Sequence, residues 1–320
     1  LTRGNHDMFW DAKKTQQLND LYQPRLTFLQ DSYEAYQDPT LGFTTKQLHA
    51  GYNPAEHYRS KAVPIYHTAA FELGDYDRCV RLFEYAEEGH SYVRFSNPTN
   101  DVLEKRIAAL EGGAAALAMA SGMAAITNTL LNLANAGDEI LAVQTLYGGS
   151  TTLLRDVLPD YGITGRFVED ENDIESYRRG ITEKTKAIYI ECLGNPGINI
   201  VDFRAIADTF ATPYLFRPFE HGIDIVCYSA TKYLAGHGTI IAGLVVEKGG
   251  FNWLNGKFPQ FEKFYVEYTG SIEEKTLREQ MFTKRLRIRF LTEFGPHMSP
   301  QNAFYLLQGM ETLSLRMDRH

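Results

Sequence analysis

Asp224-Ile-Val-Cys-Tyr-Ser-Ala-Thr-Lys232, running on into Tyr233-Leu-Ala-Gly-His-Gly238, is the stretch from which the fold of this chain is read. The apolar run at 225–228 spells a buried strand, and the hydroxyls, lysine and glycines after it spell a turn at its C-terminal end. A lysine delivered by a buried strand into a turn loses part of its hydration, which disfavours its charged form. The neutral amine is the nucleophile that condenses with an aldehyde. Ser229 and Thr231, just upstream, suit a phosphate. An isolated S-x-T-K is more often a surface lysine after a strand, so its weight comes from the rest of the chain.

Upstream, the pattern alternates. Residues 102–110 read as an amphipathic helix closed by Gly112-Gly113, 114–120 as a buried strand and 123–133 as a helix. Strands follow at 139–143, 165–168 and 187–192, with helices at 150–158, 174–179 and 203–207, the last capped by Asp202. Strands alternating with helices imply parallel pairing and a doubly wound sheet. Beyond Lys232, residues 239–246 are almost wholly apolar, and Pro300 opens a last helix with Phe304, Leu307, Met310 and Leu313 at helical spacing. Between Asp208 and Asp224 no strand pattern returns, where a parallel sheet calls for one. The final helix reaches His320 with no cap signal, so the chain reads as cut rather than finished.

Composition narrows the function. A chain of 320 residues has room for two domains at ~150 residues each. Its net charge of −8 argues against a nucleic-acid partner, since phosphate backbones need a positive footprint. The basic run Lys284, Arg285, Arg287, Arg289 alternates with apolar residues and reads as a helix face at the edge of the core. Three widely spaced cysteines, Cys79, Cys192 and Cys227, fit reduced thiols of a cytoplasmic protein, and no Cys or His pair has zinc spacing. The uncharged stretch 112–137 is too rich in Ala, Gly, Ser and Asn for a membrane span and reads as strand, tight turn and packed helix. Residues 1–42 are polar and irregular, and no function is assigned to them.

Several segments carry chemistry at strand ends. Ser121-Gly122-Met123 joins a strand to a helix, where backbone amides make an anion site and glycine permits close approach. Tyr92-Val-Arg94 precedes Asn97-Pro98-Thr99, and an arginine fork with a phenol can grip phosphate. Tyr147-Gly-Gly149 lies at a strand's C-terminal edge, where ligands collect in open α/β sheets, so its ring can stack on a planar ligand. Glu191 and Asn195 bracket another strand end and are candidates for orienting a ligand. Each of these is also ordinary turn chemistry when taken alone. Together, phosphate donors, a stacking ring, an amide and an imine-forming lysine suit pyridoxal phosphate.

The order YxRxxNPT at 92–99, SGM at 121–123, LYGGS at 146–150, ExxxNP at 191–196 and SATKYLxGHG at 229–238 resembles the Cys/Met-metabolism family of pyridoxal-phosphate enzymes. The resemblance covers residues 43–320. Within the family, the segment at 251–259 and the ending at 299–309 look most like O-acetylhomoserine sulfhydrylases. The resemblance implies the fold type I, aspartate-aminotransferase-like α/β architecture, a mostly parallel sheet sandwiched by helices. It divides the chain into an N-terminal extension and arm (1–75), a cofactor domain (76–290) and the start of a C-terminal domain (291–320).

It further implies roles for individual residues. Lys232 tethers the cofactor and shuttles protons. Gly122, Met123, Ser229 and Thr231 bind its phosphate. Tyr147 stacks on the pyridine and takes part in proton transfer, Asn195 meets the ring hydroxyl, and Glu191 contacts substrate. Tyr92 and Arg94 reach a neighbouring subunit's site, which makes the active form a homo-oligomer, a dimer of dimers. The reaction implied is γ-replacement on O-acetyl-L-homoserine by sulfide or a small thiol.

Two departures stand beside this. The family's strand ending in an aspartate at the pyridinium nitrogen is not legible here, since Asp208 belongs to the preceding helical pattern. The family also has a further C-terminal domain carrying the arginine that grips the substrate carboxylate, and this sequence ends before it. Cystathionine or methionine γ-lyases and cystathionine γ-synthases share every cofactor motif above, and only the 255–259 segment and the helix from Pro300 favour the sulfhydrylase. A non-catalytic paralogue acting as a structural subunit is the alternative of another class, and retention of Lys232, Tyr147 and the phosphate residues argues against it.

Overall fold

The computed structural model describes residues 40–191 and 213–320. Two short helices come first, α1 (Phe43–His49) and α2 (Tyr76–Phe83), the second capped by Asp75 accepting from the amide of Arg78. Asn97 then accepts from the amide of Thr99 and Pro98 fills the first helical position, which launches α3 (Pro98–Glu111). The α/β run follows: β1 (Ala115–Met119), α4 (Gly122–Leu133), β2 (Glu139–Ala142), α5 (Gly148–Thr152), β3 (Thr164–Phe167), α6 (Ile174–Gly180), β4 (Thr185–Tyr189), β5 (Ile225–Tyr228) and β6 (Gly243–Glu247). Helices α7 (Pro259–Tyr268), α8 (Glu274–Glu279), α9 (Met281–Arg285), α10 (Thr292–Phe294), α11 (Pro300–Met310) and α12 (Leu313–Arg319) complete the order.

Among the described residues the strands form two three-stranded sheets, β1-β6-β5 and β3-β2-β4. In the second, β2 runs parallel to both neighbours, with Ala142 opposite Phe167 and Tyr189. In the first, β6 lies antiparallel to both β1 and β5, so Glu247 faces Ala115 on one side and Ile225 on the other. Side chains alternate across a strand. Ala116, Ala118, Leu244 and Val246 pack on Leu103, Ile107 and Leu110 of α3 and on Leu306 and Met310 of α11. Leu117, Met119 and Val245 face the other way, onto Phe261, Phe282 and Leu286. Ile140, Leu141 and Ala142 are buried with Leu130, Leu154 and Tyr177 around the second sheet.

Of the apolar stretch 239–246, the strand takes up only the part from Gly243, and Ala242 N donates to Thr231 Oγ1 in the turn after Lys232. Of the sheet expected from the alternation, the described residues show these two parts, whose edge strands β4 and β5 face each other across a cavity of about 430 Å³ lined by Ala187, Tyr189, Ile225, Cys227 and Trp253. Residues 192–212, between β4 and β5 in the chain, lie outside the described residues. The uncharged stretch 112–137 folds as read, into β1, the Ser121 turn and α4. The basic run spans the end of α9 and the helical segment 286–291 that follows it, and there Arg285 donates to Asn132 and Arg287 pairs with Glu104. No helix among the described residues is long and apolar enough to cross a membrane.

Candidate active site

Two turns meet at one end of the sheet β1-β6-β5. The first is the start of α4. Ser121 is extended and its hydroxyl accepts from the amide of Ala124 (3.0 Å), which caps the helix. A side chain at Gly122 would come within 2.8 Å of Ser229 Cβ and 2.9 Å of its Cα. Only a bare backbone lets the helix start approach the second turn this closely.

The second turn follows β5. Lys232 N donates to Ser229 O (3.3 Å) and Gly236 N to Lys232 O (2.8 Å), winding residues 229–236 back over the strand end. Thr231 Oγ1 accepts from Ala242 N (3.0 Å) and also lies 3.3 Å from Ala242 O, so the hydroxyl expected to face a phosphate ties this turn to the entry of β6. Lys232 is exposed. The desolvation expected from its sequence context does not hold, because the turn carries the side chain past the strand end into the open.

Tyr147 belongs to the same cluster. A side chain at Gly149 would come within 2.5 Å of Tyr147 Cε1 and 3.3 Å of Met123 Sδ, so the phenol ring folds over its own turn beside Met123. The ring remains 45% exposed and open to a planar ligand. Glu191, read from the sequence as a substrate contact, is 2% exposed, and its oxygens accept from Tyr147 N (2.7 Å), Ser150 Oγ (2.8 Å) and Tyr189 Oη (3.0 Å). Burial pushes this carboxyl above its ordinary range while the donors pull it back. The structure turns Glu191 towards the protein interior because three donors compete for it there.

Tyr92 and Arg94 stand apart from this cluster. Their loop is pinned to residues 69–71 by backbone bonds, Val93 N to Ala69 O (2.8 Å) and Phe71 N to Ser91 O (2.9 Å). The Arg94 guanidinium lies 5.5 Å from the Tyr92 ring centre, and the tyrosine is 41% exposed. Asn195 and Asp208 lie outside the described residues. Sequence reasoning passed over Ser150 and Tyr189. Ser150 closes the LYGGS motif, and Tyr189 sits two positions before Glu191, a spacing that puts both on one side of an extended chain.

Pyridoxal phosphate can be tested against these residues. The first amides of a helix have no intrahelical partner. Here the start of α4 carries no acidic residue in its first turn and is packed against the Ser229 hydroxyl in a cradle that a Cβ at Gly122 would fill. That donor set fits a phosphate, and an exposed ring and an exposed amine complete the residues such a cofactor uses.

Residues 44–320 match the family described as Cys/Met metabolism PLP-dependent enzyme. The chain is 44% identical over 298 residues to O-acetyl-L-homoserine sulfhydrylase of Leptospira meyeri, spanning 86% of this chain and 67% of that protein. It is likewise 44% identical over 296 residues to homocysteine synthase of Schizosaccharomyces pombe, spanning 87% of this chain and 68% of the relative. A solved structure from Campylobacter jejuni, described as an O-acetylhomoserine (thiol)-lyase with an N'-pyridoxyl-lysine-5'-monophosphate, superposes with a TM-score of 0.80 at 36% identity, covering 88% of this chain and 72% of that one.

Proposed function

This chain belongs to the Cys/Met-metabolism family of pyridoxal-phosphate-dependent enzymes, and from that premise we propose that it catalyses γ-replacement on O-acetyl-L-homoserine. The reaction exchanges the acetate on Cγ for sulfide or a small thiol: O-acetylhomoserine and hydrogen sulfide give homocysteine and acetic acid. The observation that carries this reading is the meeting of Gly122, Met123, Tyr147 and the Ser229–Lys232 turn at one sheet end.

The amides of Gly122 and Met123 and the hydroxyl of Ser229 hold the phosphate end of the cofactor. Tyr147 covers one face of its ring and keeps water from it. The Lys232 amine would hold pyridoxal phosphate, which when bound would supply the electron sink that makes substrate protons on carbon removable. The Lys232 amine, freed by the substrate, would take the proton from Cα, which leaves it an ammonium with no room for a second. A second proton then leaves Cβ to another base, acetate departs from Cγ, sulfide adds there, and one proton each returns to Cβ and Cα. The Tyr147 hydroxyl stands ready to pass a proton beside it. Tyr92, exposed on a pinned loop, and the half-buried Arg94 serve the phosphate of a neighbouring subunit in a homo-oligomer built as a dimer of dimers. The assembly works in the cytoplasm.

The test is spectroscopic and chemical. Purified protein given pyridoxal phosphate should gain a visible absorption band, and Lys232→Ala should lose both the band and turnover. O-acetylhomoserine with sulfide should yield homocysteine and acetate. Ammonia and a 2-oxo acid released from methionine or cystathionine alone would make the protein a γ-lyase instead. Failure of the wild type to take up cofactor would leave a non-catalytic subunit.

A further inference from the structure

Glu191 gathers the turn that carries Tyr147. Tyr147 N donates to Oε2 at 2.7 Å, and the Ser150 and Tyr189 hydroxyls donate to Oε1 at 2.8 and 3.0 Å. Ser150 Oγ and Tyr189 Oη also lie 3.3 Å apart, so carboxylate, serine and tyrosine form one closed group. All three side chains are buried: Glu191 is 2% exposed, Ser150 0% and Tyr189 7%. A buried carboxylate is tolerated only when its lone pairs are met, and here two of the three donors come from residues 147–150. The turn is thereby fastened to the end of β4. A second carboxylate holds its other side: Glu171 Oε2 accepts from Thr145 Oγ1 at 2.7 Å.

We propose, resting on the reading of the site given above, that Glu191 is a positioning residue for Tyr147. Through the backbone of residues 147–150 it fixes the plane in which the phenol ring meets the cofactor ring, and it makes no contact with substrate. Gln at this position can accept from Tyr147 N through its oxygen while its amide donates to the two hydroxyls, which turn round to accept. Met fills a similar volume and can do neither.

The experiment compares Glu191→Met with Glu191→Gln in the full chain, by visible circular dichroism of bound pyridoxal phosphate, cofactor titration and steady-state kinetics. Glu191→Met should alter the dichroism, raise the cofactor Kd by roughly tenfold and lower kcat with KM for O-acetylhomoserine held within about twofold. Glu191→Gln should restore the dichroism and bring Kd back to within about threefold of wild type. Placed in a Tyr147→Ala background, Glu191→Met should add little, since its effect runs through that ring. Should Glu191→Met not fold, Ser150→Ala and Tyr189→Phe each remove one donor and should move the dichroism in the same direction by less. The proposal is overturned if Gln behaves as badly as Met, if the loss appears in KM alone, or if the effect is undiminished without the Tyr147 ring. A wild type that binds no cofactor sinks the site itself. A wild type that loads beside an indistinguishable Met variant sinks only the role of Glu191.

Discussion

Glu111, 2% exposed at the end of α3, accepts from the Tyr228 hydroxyl on β5, the residue just before Ser229. Burial pushes its carboxyl from 4.5 to about 8, and the Arg217 guanidinium nearby draws it back only in part. A carboxyl whose folded value lies above its unfolded one binds more protons in the folded state. Its contribution to stability is therefore full below the unfolded value and is lost as pH rises through about 8. The thermal midpoint should decline between about pH 5 and 8, and Glu111→Gln should flatten that decline. A slope unchanged in the variant would assign the titration to another group. At Gly122 the argument is steric: the residue is glycine because Ser229 occupies the space where a Cβ would stand.

Helix α4 shows how an element becomes part of a site. Its inward face is apolar and its charge-free first turn lies at the sheet end, so its stability depends on the cap more than on side-chain pairs. Ser121→Ala removes the acceptor for the Ala124 amide and should cost about 1 kcal/mol by urea denaturation. If that first turn holds the cofactor phosphate, as proposed above, the change should also weaken cofactor binding; a stability loss with unchanged cofactor affinity would separate the two roles. Strand β6 illustrates a different dependence. All five of its residues are buried, so its sequence pattern marks a central strand but carries no sign of direction. Its antiparallel pairing follows from the return of the chain through residues 229–242.

At the scale of the molecule, an ion pair between a buried carboxylate and a half-buried guanidinium joins parts distant in sequence. Glu104 of α3 accepts from Ala118 N of β1 (2.8 Å) and pairs with Arg287, which also donates to Phe95 O (2.7 Å). Helix, sheet, the helical segment after α9 and the loop bearing Tyr92 and Arg94 are tied at this point. Arg287→Met strands the Glu104 carboxylate and should cost about 3–5 kcal/mol. Adding Glu104→Gln should recover a substantial part, as measured by a double-mutant cycle in denaturant; additive losses would show that the pair does not act as one unit.

The sequence alone determined the α/β alternation, the strand leading to Lys232, the helix start at Ser121 and the Tyr147 turn. Each is written in neighbouring residues, as an apolar run, a cap or a glycine, and the forces behind them act over a few positions. It marked Glu191 as a carboxylate at a strand end but held no sign of the donors that this carboxylate meets. Tertiary structure alone decided that Glu191 faces Ser150 and the Tyr147 amide, that Lys232 stands exposed, that Gly122 abuts Ser229 and that β6 runs antiparallel between β1 and β5. A buried polar group takes its role from the donors that surround it. Two of the three donors to Glu191, the Tyr147 amide and the Ser150 hydroxyl, lie some forty residues away, beyond the reach of any local pattern.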